Sequence, residues 1–343
     1  MQSFFKKLPR YSLRLLLAYL AYIFTGGVLA YLLPRQARNL PQTDSFYGIG
    51  RGPDRVVLVE EPQDAFARRV EVIRTAQSTL DVCYHCVKSG ETTECFFAEL
   101  LRAADRGVRV RVLLDGTVGG LSGARSNIAL ALRAHPNIEY RIYNPVDLLR
   151  PWEWNALLHD KFILADDRML LLGGRNIGDE YFAPPGYEGA VTYDRDVLVL
   201  NDLAGTPDFS ESVTAQAKIY MDTLWDAPET DKFGTLSPSR RADGLAAQEY
   251  LKETAARWEA AAPSFYLPSE PASQCAVPTQ RVTLLHNPVS PFKKEPTLGA
   301  TLAQLLSGCQ KIRLQTPYAT ANPSTLAALT RLAKQGHVEY LTN

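Results

Sequence analysis

The chain has 343 residues, 46% of them hydrophobic and 22% charged, which suits a globular protein large enough for two lobes with sizeable cores. Lysine plus arginine and aspartate plus glutamate balance at 37 each, so the basic excess of a nucleic-acid binder is absent and no nucleic-acid partner is expected. Five scattered cysteines exclude a disulfide scaffold; Cys83-x-x-Cys86 lacks a second pair at zinc-ribbon spacing and reads as buried strand.

Residues 1–34 stand apart. Lys6, Lys7, Arg10 and Arg14 precede an uncharged apolar run from Leu15 to Leu33, roughly nineteen residues and able to span a bilayer as a helix. A secretory apolar segment is usually about 7–15 residues long, and no small-x-small cleavage site follows here. An uncleaved single-pass anchor with interfacial Tyr19, Tyr22 and Tyr31 is expected. Four basic residues before the run outnumber Arg35 and Arg38 after it, which places the amino terminus in the cytoplasm and the rest outside the cell membrane.

A polar stretch from Pro41 to Pro53 leads into alternating elements. Arg55 to Val59 reads as a strand, Asp64 to Ala76 as a helix, and Thr79 to Cys86 as a strand. Cys95 to Arg106 reads as a helix stopped by Gly107, and Val108 to Leu114 as a buried strand. The pattern returns near the carboxyl end, with strands at Arg281 to Leu285 and Lys311 to Thr316 and helices at Thr297 to Leu306 and Pro323 to Gln335. Leu100, Arg102, Ala104 and Gly107 fall on Leu329, Arg331, Ala333 and Gly336, which implies a duplicated lobe. The expected class is α/β: a first lobe over 35–230, a helical linker over 231–280 and the start of a second lobe over 281–343. The second lobe breaks off half-way through a unit, so the chain reads as a carboxy-terminal truncation. Completion by dimerisation is the alternative.

Residues 159–176 concentrate the chemistry. His159 and Lys161 are two apart on an apolar strand, so both side chains emerge on one face while Phe162 and Leu164 point into core. Asp166 falls in the following turn, and Asn176 follows Gly173 and Gly174. The glycines suit a hairpin exit and also let backbone approach a bound phosphate. A nucleophilic imidazole beside a fixed cation and an amide donor is equipment for attacking a phosphodiester. The other histidines, His85, His135, His286 and His337, have no lysine two residues on and read as structural. Trp152 and Trp154 suit either lipid contact or core packing.

The motif H-x-K-x-x-x-x-D formed by His159, Lys161 and Asp166, followed by Gly173, Gly174 and Asn176, resembles the phospholipase D superfamily. GGRNIGDEYF, with HPNIEYRIYNP upstream, resembles its bacterial cardiolipin synthase branch from about Arg55 onward. The resemblance implies a pseudo-two-fold pair of lobes, each supplying one motif to a shared site. One histidine would form a phosphohistidine while a second acts as acid and base. Lys161 and Asn176 would stabilise the non-bridging oxygens, and no metal or other cofactor is implied. It also implies an orienting carboxylate behind His159. The strand RDVLVL puts Asp196 in that role with Asp194 as runner-up, because Asp166 lies beyond the strand at opposite parity and caps the turn. Asp179 and Glu180 are assigned to loop structure or headgroup contacts.

The expected activity is transfer of a phosphatidyl group from a phosphatidylglycerol-like lipid to another lipid alcohol. Hydrolysis by a phospholipase D or nuclease-like phosphodiesterase, with water as acceptor, is the second reading. Non-catalytic binding of lipid headgroups is the third. The second half-site would come from a missing carboxy-terminal region or from a dimer partner.

Overall fold

The computed structural model describes residues 2–32, 35–203, 207–290, 292, 294–316 and 323–342. Leu33, the last residue of the expected apolar run, and Asn343, where the chain was expected to break off, lie outside them. The amino-terminal helix α1 (Gln2–Ile23) continues through a π turn (Phe24–Val28) and a 3-10 turn (Leu29–Tyr31). Tyr11–Tyr31 is long and apolar enough to cross a bilayer.

The globular part begins with β1 (Asp54–Val59), α2 (Pro62–Thr75), β2 (Thr79–Tyr84), α3 (Glu91–Asp105) and β3 (Arg109–Asp115). Local signals set these boundaries. Pro62 and Asp64 open α2, and Arg74 closes it, in line with the helix dipole. Gly107, at φ 93°, reverses the chain after α3 while the Val108 N–H donates to Ala103 O. Next come α4 (Ser126–Ala134), β4 (Ile138–Tyr143), β5 (Lys161–Ala165), β6 (Met169–Gly173), α5 (Asp179–Phe182) and β7 (Asp196–Asn201). They are followed by α6 (Val213–Trp225), β8 (Thr230–Lys232), α7 (Pro238–Ala261), α8 (Ala272–Cys275) and β9 (Val277–Pro278). The last elements are α9 (Thr297–Leu305), β10 (Lys311–Gln315), α10 (Pro323–Gln335) and β11 (His337–Leu341).

Nine strands form one mixed sheet in the order β8-β4-β3-β2-β5-β6-β7-β1-β9. The β2, β3 and β4 strands are parallel, and every other pairing in this sheet is antiparallel. Strand alternation divides the buried residues between two faces. Val82, Tyr84 and Ile163 join Phe66, Val70, Ile73, Phe96 and Leu100 of α2 and α3 on one face. Cys83, Leu113, Phe162 and Leu164 join Val213, Met221, Leu224 and Trp225 of α6 on the other. Each such large apolar side chain contributes about 1.5–3 kcal/mol on burial.

Three expectations change. The helix within 231–280 is no detached linker: α7 lies on α3 and α4, with Gly244 against Ala134 and Leu130 and with Leu251 and Ala255 in the main core. Its buried stripe is built of Gly244, Ala247, Gln248, Leu251, Thr254 and Ala255, so close approach replaces bulk. Phe265 then stacks on Phe66 and β9 pairs with β1, so the chain stays packed on the main sheet as far as residue 278. Second, residues 281–285 form no strand; Val282 and Leu284 cover the α6 side of the sheet, and the Leu284 N–H donates to the Gln216 side chain. Third, His159 lies two residues before β5, outside the ladder. Further on, the expected strand and helix at Lys311 and Pro323 form, with β10 and β11 paired in parallel around α10 as a separate two-stranded sheet.

Candidate active site

Antiparallel pairing of β2 with β5 sets Tyr84 opposite Lys161, so the end of one strand and the entry of the other share one edge of the sheet. The carboxyl ends of β3 and β6 and the start of β7 lie at this edge too. His159 stands exposed at the lip, and Lys161 is buried behind it. The Lys161 ammonium donates to His159 O at 2.6 Å and lies 3.4 Å from Nδ1 of the imidazole. Partial burial holds the His159 pKa below its ordinary value, and the nearby Lys161 and His85 push the same way. Burial also lowers the Lys161 pKa, against the attraction of Asp160 and Asp194. These effects favour the neutral imidazole.

His85, read as structural from sequence, belongs to this site. It follows β2 directly, and its ring centroid lies 4.5 Å from that of His159. Its Nδ1 donates to Leu158 O at 2.8 Å, because a carbonyl can only accept, and this leaves Nε2 without the proton in the neutral ring. Asp115, at the end of β3, fixes the approach to His159: its Oδ2 accepts the Leu158 N–H at 2.8 Å and lies 4.0 Å from His85 Nδ1. No sequence spacing links His85 to His159; only the β2–β5 register brings them together. Tyr220 of α6 donates to Asp160 at 2.9 Å, and Lys294 reaches Leu157 O at 3.5 Å from the far end of the chain.

Asp196 is fully buried and shared by two guanidiniums, Arg69 Nη1 at 2.9 Å and Arg175 Nη1 at 3.1 Å. Burial alone would raise its pKa; Arg69 and Arg175 outweigh that and hold it below the usual carboxylate range. Among the described residues no carboxylate is hydrogen-bonded to His159, so the orienting contact expected of Asp196 is absent from this geometry. Its Oδ1 is buried without a partner and leans over Gly173, where a Cβ would collide with it and with Arg195 O at 2.5 Å. Gly173 lies in register with Asp196 at the sheet edge beside Lys161. Asp194 is exposed and leans over Gly174 in the same way.

Asn176 holds two segments together. Its Oδ1 accepts the Cys86 N–H at 3.0 Å, and its Nδ2 donates to Tyr181 Oη at 3.1 Å, leaving a second amide hydrogen. Asp179 caps α3 through the Glu91 and Thr92 N–H groups, as loop structure, and Glu180 pairs with Lys88. Asp166 lies beyond the opposite end of β5, seven residues on and so up to about 23 Å from His159 at 3.3 Å per residue. Its carboxylate accepts the N–H groups of Gln77, Ser78 and Thr79 at 2.7–2.8 Å, so it is a turn clamp with no place in the site. Trp154 donates to Asp147 O, and Trp152 meets the ring of Tyr22. Among the described residues no three His, Cys, Asp or Glu side chains gather as metal ligands would.

The edge of this mixed sheet thus carries an H-x-K pair with a Gly-Gly-Arg-Asn segment beside it. Residues 70–199 match the family described as cardiolipin synthase, PLD-like domain. Cardiolipin synthase C of Escherichia coli (strain K12) is 36% identical over 185 residues, 50% of this chain and 37% of that protein. Cardiolipin synthase of Geobacillus thermodenitrificans (strain NG80-2) is 29% identical over 164 residues, 46% of this chain and 32% of that protein. The chain thus spans about a third of the length of these curated relatives. The crystal structure of phosphatidylserine synthase from Haemophilus influenzae Rd KW20 shares the fold, with TM-score 0.56 and 16% identity over 89% of this chain and 64% of that one.

Proposed function

We propose that the chain belongs to a membrane-anchored phosphatidyltransferase of the cardiolipin synthase type and carries one half of its site. The observation that supports this most is the pair His159 and Lys161 at the open sheet edge, a neutral imidazole beside a buried ammonium. The His159 ring attacks the phosphorus of a phosphatidylglycerol-like donor; an N–P bond forms, the P–O bond to the departing alcohol breaks, and that alcohol takes a proton from a second histidine. The lipid acceptor then returns its proton to that base as its oxygen displaces the imidazole. The second histidine comes from a second lobe or a partner copy.

Lys161 and the remaining amide hydrogen of Asn176 neutralise the non-bridging oxygens, with Gly173 and Gly174 allowing the phosphate to approach the backbone. A phosphate in the cleft draws the Lys161 ammonium away from Nδ1. The unpartnered Oδ1 of Asp196 is the acceptor for an Nδ1–H of His159, and exposed Asp194 faces the headgroup.

Incubation with labelled phosphatidylglycerol followed by rapid denaturation should leave an acid-labile phosphatidyl label on His159 and none on His159→Ala. A folded protein that includes the second half-site, from a second lobe or a partner copy, and still acquires no label defeats the reading. Cardiolipin among the products identifies a lipid alcohol as acceptor, and phosphatidic acid identifies water.

A further inference from the structure

The amino-terminal helix lies along one loop of the globular part, the segment 146–155 that leads into His159. Tyr19 Oη donates to Leu148 O at 2.9 Å, Tyr22 Oη to Leu149 O at 2.5 Å, and Tyr31 Oη to Trp152 O. Asn155 Nδ2 donates to Gly27 O at 3.2 Å, and the Tyr22 ring meets Trp152 edge-on at 6.1 Å. Gly26 and Gly27 mark the closest approach: a Cβ on Gly26 would sit 3.0 Å from Pro151 Cγ, and one on Gly27 3.2 Å from Pro151 O.

Apart from one 3-10 turn (Pro151–Glu153) the loop is irregular, yet three of its carbonyls are satisfied by tyrosine hydroxyls from the helix. Irregular backbone enters an apolar layer only when its polar groups are met in this way. Its apolar tips are bare, with Val146 52%, Leu148 61% and Leu149 73% exposed, beside exposed Leu16, Leu17 and Leu20 of the helix. Its charges pair among themselves, Arg150 with Asp147 at 3.5 Å and with Glu153 at 3.6 Å, as suits the polar headgroup level.

We propose that residues 146–152 are a membrane-docking loop, resting in the headgroup layer with Leu148 and Leu149 in the outer acyl region. The partner is the lipid bilayer that receives the helix. The helix contacts run from Tyr19 to Tyr31, about 18 Å at 1.5 Å per residue, so Leu148, held by Tyr19, lies at a different depth from Trp152, held by Tyr31. Lipid that covers this part of the helix therefore covers the loop as well. His159 follows Trp152 by seven residues, so docking sets the nucleophile at the depth where lipid phosphodiesters lie. The proposal rests on the anchor reading of the amino-terminal helix, and its test reads depth rather than turnover.

An environment-sensitive fluorophore on Leu149→Cys, in a full chain with Cys86, Cys275 and Cys309 replaced by serine, is reconstituted into phosphatidylglycerol and phosphatidylethanolamine vesicles. Parallel probes on Leu17→Cys and Asp202→Cys report the helix and the water-facing far end of the sheet. Lipids carrying a nitroxide near the headgroup should quench the Leu149 probe about twofold or more beyond the Asp202 probe. A Leu149 probe that matches Asp202 while Leu17 is quenched overturns the docking loop and leaves the anchor and the proposed activity standing. An unquenched Leu17 probe overturns the docking loop and the anchor together.

Discussion

Asp196→Ala would remove the shared counter-ion of two buried guanidiniums. Arg69 is 1% exposed and Arg175 fully buried, so neither can turn to water. Removing one partner from a buried ion pair destabilises by about 3–5 kcal/mol, because the remaining charge stays desolvated. Two like charges left facing each other push toward the upper end. Retained bonds from Arg69 to Ala65 O and Tyr84 Oη, and from Arg175 to Val59 O and Glu60 O, pull the other way. A loss of about 4 kcal/mol is expected, or about 8–16 °C in Tm at roughly 2–4 °C per kcal/mol for domains of this size. Thermal melting of the full chain in detergent measures it, with exposed Asp194→Ala as a control that shifts by about 0.5 kcal/mol or less. If the Asp196→Ala protein melts within about 2 °C of the parent, the carboxylate is not the electrostatic keystone of the site floor.

Two further substitutions test the site's electrostatics and the reassigned motif aspartate. With its pKa held down by burial, Lys161 and His85, His159 stays neutral into acid, so the acid limb of kcat/KM lies below the ordinary histidine range. Lys161→Met removes a neighbouring cation, which should move that limb to higher pH and lower the plateau about 10²–10³-fold; a limb that stays in place rules out the coupling. Asp166→Ala strips three N–H groups of their acceptor and should cost about 1–3 kcal/mol of stability, seen by chemical denaturation, with specific activity of the folded protein unchanged. Loss of turnover in a stably folded Asp166→Ala protein would restore that residue to the chemistry.

The two-residue spacing of His159 and Lys161, the apolar alternation that buries Phe162 and Leu164, and the helix stops were legible in sequence because each is a local signal. What escaped depends on register or on packing. His85 reaches His159 only through the antiparallel β2–β5 pairing, across 74 residues of chain. Arg69, Arg175 and Asp196 sit on separate elements, and nothing in their spacing marks them as partners. The α7 helix looked like a linker because its buried face is small rather than greasy, and periodicity weighs bulk more heavily than closeness of approach. Residues 281–285 carry a strand-like apolar pattern, yet they lie over the α6 face as a covering segment.

The segment after β2 is stitched to the segment after β6 by main-chain bonds, with the Lys88 N–H on Ile177 O at 2.8 Å and the Ile177 N–H on Cys86 O at 3.2 Å. The Cys86 N–H on Asn176 and the Asp179 cap on α3 close the seam. Segments fastened this way do not open separately from the strands that carry them, so the site and the sheet form one cooperative unit. Heat would then take the candidate site apart at the same midpoint at which the fold is lost, with no warmer interval in which the sheet survives with its edge undone.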